Sequence, residues 1–135
     1  MHKNLTVLLV EDDDPLRRVL AELLQQWGCT VFPTEHARQA LELVRRQSID
    51  FSILDQHLPD MTGVEIFRTI RTEFGVNLPA ILISGDATPE EARQALELGM
   101  FHFLKKPLDM NSLRQCLDML TRQHFGRGLA QRPRP

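Results

Sequence analysis

Long hydrophobic runs are missing from this sequence. No apolar stretch approaches the roughly 18–20 residues that a membrane-crossing helix needs. The first residues, Met-His-Lys-Asn-Leu, lack the extended apolar segment of a secretory leader. Cytoplasm is therefore the expected compartment. Cysteine is scarce as well: Cys29 and Cys116 are the only two. They form no CxxC pair and no zinc-ligand spacing, so the expectation is two reduced, mostly buried thiols. A basic excess is also absent, because 16 Lys and Arg face 18 Asp and Glu. That balance argues against a general nucleic-acid-binding surface. At 135 residues the chain suits one domain with a sizeable core rather than two.

Short β-rich runs alternate with longer helical ones. Leu5–Val10 is nearly all apolar, as a strand covered on both faces would be. Asp14-Pro15 opens a helix, with Asp as the cap and Pro in the first turn. Leu16, Val19, Leu20, Leu23 and Leu24 repeat with helical spacing up to Gly28. Thr30–Phe32 is a short strand, followed by a helix from about Glu35 to Arg46. Its apolar face carries Ala37, Ala40, Leu41 and Val44. Phe51–Leu54 is the third strand and ends at Asp55. Thr62 and Glu65 have capping-box spacing before a helix that starts near Gly63. Ala80–Ser84 is the fourth strand. Thr88-Pro89-Glu90-Glu91 again has capping-box spacing, and its helix runs to Gly99. His102–Leu104 is a short fifth strand. Asp109 caps a last helix reaching about Gln123. The final stretch, FGRGLAQRPRP, shows no periodicity. The expected fold class is thus α/β, a parallel five-stranded sheet with five helices on its two faces.

The stretch LLVEDDDPLRR places Glu11, Asp12, Asp13 and Asp14 directly after the first strand. Ligands of open α/β sheets bind beyond the carboxyl ends of the strands. If the first and third strands are neighbours, Glu11, Asp12 and Asp55 share one crevice. Converging carboxylates need protons or a cation to relieve them. Hard oxygen ligands with room for water suit Mg²⁺. The cluster alone leaves two readings open, a solvated acidic loop and a cation site. Strand ends four and five add Ser84, in ILISGD, and Lys106, in FLKKPLD. A hydroxyl and an ammonium beside a carboxylate–metal site are what a bound phosphoryl oxygen needs.

Four ordered motifs resemble the receiver domain of two-component response regulators. LLVEDDDPLRR resembles the family's acidic pair followed by Pro-x-Arg. ILDQHLPDMTGVE resembles its phosphoacceptor motif, ILISGD its hydroxyl motif, and FHFLKKPLD its aromatic–Lys–Pro motif. The resemblance covers residues 5 to about 123. It implies a doubly wound, flavodoxin-like sheet of order 2-1-3-4-5. Residues 1–124 would form the receiver domain, with 125–135 a disordered basic tail or truncated linker. It further implies Asp55 as phosphoacceptor. Mg²⁺ would be held by Glu11, Asp12, Asp55 and the backbone carbonyl of His57. Lys106 would pair with the phosphoryl group, and Ser84 and Phe103 would act as the switch. The implied partners are a sensor histidine kinase or phosphotransfer protein, and a target or output domain on the face of helix 4, strand 5 and helix 5. Direct nucleic-acid and membrane binding are not expected; homodimerisation is left open. Glu11 stands where Asp is commoner, Ser84 where Thr is, Gly85 where Ala is, and Phe103 where Tyr is.

Two rivals share this chemistry. A Mg²⁺-dependent phosphohydrolase with an aspartyl-phosphate intermediate commonly carries an acid two residues after its nucleophile, where this chain has His57. A phosphorylation-independent interaction module would not need the full set of Glu11, Asp12, Asp55, Ser84 and Lys106. Catalysis is thus expected only on the chain's own phosphoryl group. His57 reads as a loop side chain, and Asp86 as a neighbour of the site whose effect on phosphoryl lifetime has no fixed sign. Phe101 fits either an exposed docking aromatic or a contact of the last helix. Trp27 reads as core.

Overall fold

The computed structural model describes residues 4–130. Five strands and five helices alternate: β1 (Leu5–Val10), α1 (Asp14–Gln26), β2 (Cys29–Thr34), α2 (Ala37–Arg46), β3 (Phe51–Asp55), α3 (Gly63–Glu73), β4 (Ala80–Ser84), α4 (Pro89–Glu97), β5 (His102–Lys105) and α5 (Met110–Phe125). All strand pairings are parallel, in the order β2-β1-β3-β4-β5. The expected fold class and strand order are therefore the observed ones.

The apolar strands split their side chains between two cores, because successive residues point to opposite faces. Val7, Leu9, Phe51, Ile53, Ile81 and Ile83 pack with Leu20, Leu24, Leu113, Leu117 and Leu120 of α1 and α5. Leu8, Val10, Leu54, Ala80 and Leu82 pack with Ala37, Ala40, Val64, Ile66, Phe67, Ile70 and Ala95 of α2, α3 and α4. Every residue of β3 and β4 is buried, as central strands of a covered sheet must be. Cys29 and Cys116 are free and buried, and burial pushes both thiols up to about 11. Trp27 is buried in the α1–α5 core, under the Arg114 guanidinium.

Several boundaries differ from the sequence reading, each for a physical reason. The N-cap of α1 is Asp13, and its side chain makes no capping bond. Asp14 lies in the first turn instead and pairs with Arg17. β2 continues through Pro33 to Thr34, because an edge strand tolerates a residue without an N–H. α2 starts at Ala37 rather than Glu35, since its first amides are satisfied from elsewhere. Ala37 and Arg38 donate to the Asp60 carboxylate at 3.1 and 3.2 Å. α5 runs to Phe125 and stops at Gly126, whose φ of 72° ends the helix in the left-handed region. The tail expected from residue 125 is therefore corrected for residues 125–130. Leu129 N–H donates to Asp118 at 2.9 Å, Ala130 N–H donates to the Trp27 carbonyl at 2.9 Å, and Leu129 packs on the core. Residues 131–135 of that expected tail lie outside the described residues.

Candidate functional site

The register that joins β1 to β3, ending at Val10 with Leu54, brings two acidic ends together. Glu11 follows β1 and Asp55 ends β3; they are 0% and 2% exposed. Asp12 sits beside them at the surface. One carboxylate oxygen of each lies within 4.8 Å of the others. Arg17, of the Pro-x-Arg stretch, holds the approach to this loop by donating to the Glu11 carbonyl at 2.9 Å.

Lys106, just beyond β5, reaches back over the sheet edge. Its Nζ stands 2.7 Å from Glu11 Oε1 and 3.2 Å from Asp55 Oδ2. One ammonium thus faces two buried carboxylates. Burial first, and then the Asp55 carboxylate, raise the Glu11 carboxyl above the usual glutamate range, against the opposing pull of Lys106. Burial disfavours the Lys106 charge, yet Glu11 and Asp55 outweigh it and hold the ammonium above the usual lysine value. Glu11 Oε1 is fully buried, and the ammonium it meets is shared with Asp55. A buried carboxylate that shares a single ammonium with Asp55, beside the further carboxylate of Asp12, is a donor set that fits a hard divalent cation.

The Asp55 loop is fixed by two devices. His57 N–H donates to Asp55 Oδ1 at 3.2 Å. Gly63, the first residue of α3, lies against the end of β3: a Cβ there would sit 2.7 Å from the Asp55 carbonyl oxygen and 2.6 Å from Leu82 Cδ1. Only glycine allows that approach. The Thr62–Glu65 capping box then closes in both directions, so α3 starts as expected.

Ser84 ends β4 and is completely buried. Its Oγ donates to Glu91 Oε1 at 2.9 Å and accepts from Ala87 N–H at 3.3 Å. The His57 side chain turns the same way, with Nε2 3.2 Å from both Asp86 and Glu91. Its imidazole nitrogen is thus engaged by carboxylates that follow β4. Phe103, the expected aromatic switch, is half-buried against the α2–α3–α4 core. It pairs with Leu82, two positions before Ser84 meets Lys105. Phe101 resolves as a contact of the last helix, edge-on to His124 with ring centroids 6.0 Å apart.

Glu11, Asp12, Asp55, His57, Ser84 and Lys106 thus gather at the carboxyl end of the sheet, with Phe103 on β5, whereas Phe101 and Trp27 lie away from it. Two participants were missed. Glu91 reads as a helix-capping residue, and nothing local signals its reach to Ser84. Gln56 is buried, and its Oε1 accepts the Val64 N–H at 3.0 Å, tying the Asp55 loop to α3.

Comparison with known proteins points one way. Residues 7–118 match the family model described as response regulator receiver domain. The transcriptional regulatory protein ZraR of Escherichia coli is 32% identical over 117 residues, which is 87% of this chain and 26% of that protein. The chain therefore spans about a quarter of that relative's length. The chemotaxis protein CheY-3 of Vibrio cholerae is 26% identical over 122 residues, covering 89% of this chain and 94% of that one. The non-phosphorylated HemR receiver domain from Leptospira biflexa superposes with a TM-score of 0.80 at 29% identity, over 87% of this chain and 94% of its own.

Proposed function

The chain belongs to the response regulator receiver family, and from that membership we propose that Asp55 accepts a phosphoryl group and passes the signal on as a change of conformation. The carrying observation is the convergence of Glu11, Asp12, Asp55 and Lys106 at one sheet edge. In the proposed transfer an Asp55 carboxylate oxygen attacks phosphorus. The P–O bond forms as the P–N bond of a phosphohistidine donor breaks, and the donor imidazole leaves with the electron pair. Lys106 stands ready to pair with the incoming oxygens, and His57 N–H orients the carboxylate. Glu11, Asp12 and Asp55, with the His57 carbonyl, would hold Mg²⁺. When bound, that ion supplies charge neutralisation for the transferring group.

The product carries roughly −1.5 to −2 charge where the carboxylate carried about −1, and it brings three acceptor oxygens to this crevice. Lys106 and the Ser84 hydroxyl are the groups that gain by meeting them. Ser84 moves toward the phosphoryl group, and Phe103 follows inward. The change is read on the face of α4, β5 and α5 by a target or an output domain. The donor is a sensor histidine kinase or phosphotransfer protein in the cytoplasm. Catalysis is confined to the chain's own phosphorylation and dephosphorylation.

Intact-mass analysis after acetyl phosphate and Mg²⁺ tests this reading. The expected gain is one phosphoryl group, absent in Asp55→Ala and in chelator. A gain that survives Asp55→Ala, or no gain in the unaltered chain, would overturn it.

A further inference from the structure

The two capping-box signatures of this chain behave differently. At α3, Thr62 Oγ1 accepts the Glu65 N–H at 3.1 Å, and Glu65 Oε1 returns the bond by accepting the Thr62 N–H at 3.2 Å. At α4 the first half is the same: Thr88 Oγ1 accepts the Glu91 N–H at 3.1 Å. The second half is missing. The Glu91 carboxylate turns away from Thr88 and takes the Ser84 hydroxyl at 2.9 Å instead. Its other oxygen is held by His57 Nε2 at 3.2 Å, and its side chain is 18% exposed. The loop between Ser84 and Thr88 is pinned over this contact, with the Ala87 N–H on Ser84 Oγ and Ala87 at a φ of 42°. A positive φ at a residue with a Cβ is strained and persists only where neighbours enforce it.

A serine hydroxyl has one proton to donate. While Glu91 holds it, Ser84 cannot give it to a phosphoryl oxygen on Asp55. We propose that Glu91 is a positioning residue, a latch that holds the Ser84 hydroxyl in the resting orientation and sets how readily the switch is thrown. The proposal rests on the phosphoacceptor reading of Asp55. Release of Ser84 frees the Glu91 carboxylate to close the box at Thr88, as Glu65 does at Thr62. Occupancy of Asp55 would thereby trade one hydrogen bond for another at the first turn of α4. The end of β4 and the start of α4 change state together.

The test uses beryllofluoride, a tetrahedral phosphoryl mimic, with Mg²⁺ and calorimetric titration. Glu91→Ala should tighten binding about five- to tenfold, the scale of one charge-assisted hydrogen bond no longer competing. Glu91→Gln keeps an acceptor of the same shape without the charge, and should tighten it about two- to threefold. In a Ser84→Ala background, Glu91→Ala should change the affinity less than about twofold, because the pair is already broken. Equal or weaker binding by Glu91→Ala overturns the latch. So does the same tightening with and without Ser84, which would reduce Glu91 to a nearby charge. A loss of helix cap alone would lower the melting temperature without raising affinity. If the unaltered chain takes neither beryllofluoride nor the phosphoryl group of acetyl phosphate, the Asp55 reading itself fails. That result is visible before any variant is made.

Discussion

Glu11 shows what the chain gives up for its site. Its carboxylate is fully buried and shares one ammonium with Asp55. A core placed there for stability alone would carry no such charge. Glu11→Gln keeps the shape and removes the repulsion with Asp55, while Lys106 retains a carboxylate partner. In chelator this variant should therefore be more stable, by about 1–2 kcal/mol. That corresponds to a rise of about 3–8 °C in melting temperature for a chain of this size. The rise in melting temperature produced by Mg²⁺ should shrink in the same variant. Differential scanning calorimetry with and without Mg²⁺ measures both; a less stable Glu11→Gln in chelator would contradict the account. At this scale the site was legible in sequence. Each of its residues closes or directly follows a β-run, and parallel strands deliver their ends to one edge. Glu91 was not legible, because its capping signature at Thr88 is complete in sequence and its departure to Ser84 depends on tertiary placement.

The elements differ in how much of their definition is local. α3 is defined by its own residues, through the Thr62–Glu65 box. α2 is not, because the carboxylate over its first turn comes from Asp60, in another loop. The segment after α5 is the extreme case. Its residues carry no periodicity, and its order is tertiary: hydrogen bonds run to Asp118 and to the Trp27 carbonyl, and Leu129 packs on the core. The Arg122 guanidinium, and then the Leu129 N–H, hold the Asp118 carboxyl below the usual aspartate range against slight burial. A lowered folded-state value means that this tie is present above the ordinary aspartate value, about pH 4. It is lost as pH falls through the lowered one. Asp118→Ala should speed hydrogen exchange at Leu129 and Ala130 at neutral pH and leave the α3 amides unchanged. In the unaltered chain the same two amides should lose protection below about pH 4, once corrected for intrinsic exchange. Trp27 is the optical reporter of this tie. It follows a 13-residue helix whose start adjoins the acidic cluster, so it stands about 20 Å from those carboxylates. Its emission should respond to Asp118→Ala and stay unmoved by Mg²⁺.

At the scale of the whole molecule the sheet is shared property. Continuous apolar strands at β1, β3 and β4 announced a sheet covered on both sides, and helical crossovers announced parallel pairing. The order of the strands came through family resemblance, because which strands lie side by side is decided by packing that no single segment encodes. The same packing joins the two cores through shared strands. Ile53 and Leu54 are adjacent on β3, both fully buried, and point into opposite cores. Either cannot be loosened without disturbing the backbone that carries the other. Ile53→Ala and Leu54→Ala should each destabilise the fold by about 2–5 kcal/mol. The double variant should depart from the sum, since neighbouring sites couple. Trp27 belongs to the α1–α5 core, whereas Leu54 belongs to the α2–α3–α4 core. If the two faces unfold together, Leu54→Ala shifts the urea midpoint read by Trp27 emission as far as the midpoint read by far-ultraviolet circular dichroism. Separate midpoints would show two units joined by a common sheet. The α4 and α5 parts of the proposed output face would then belong to different units.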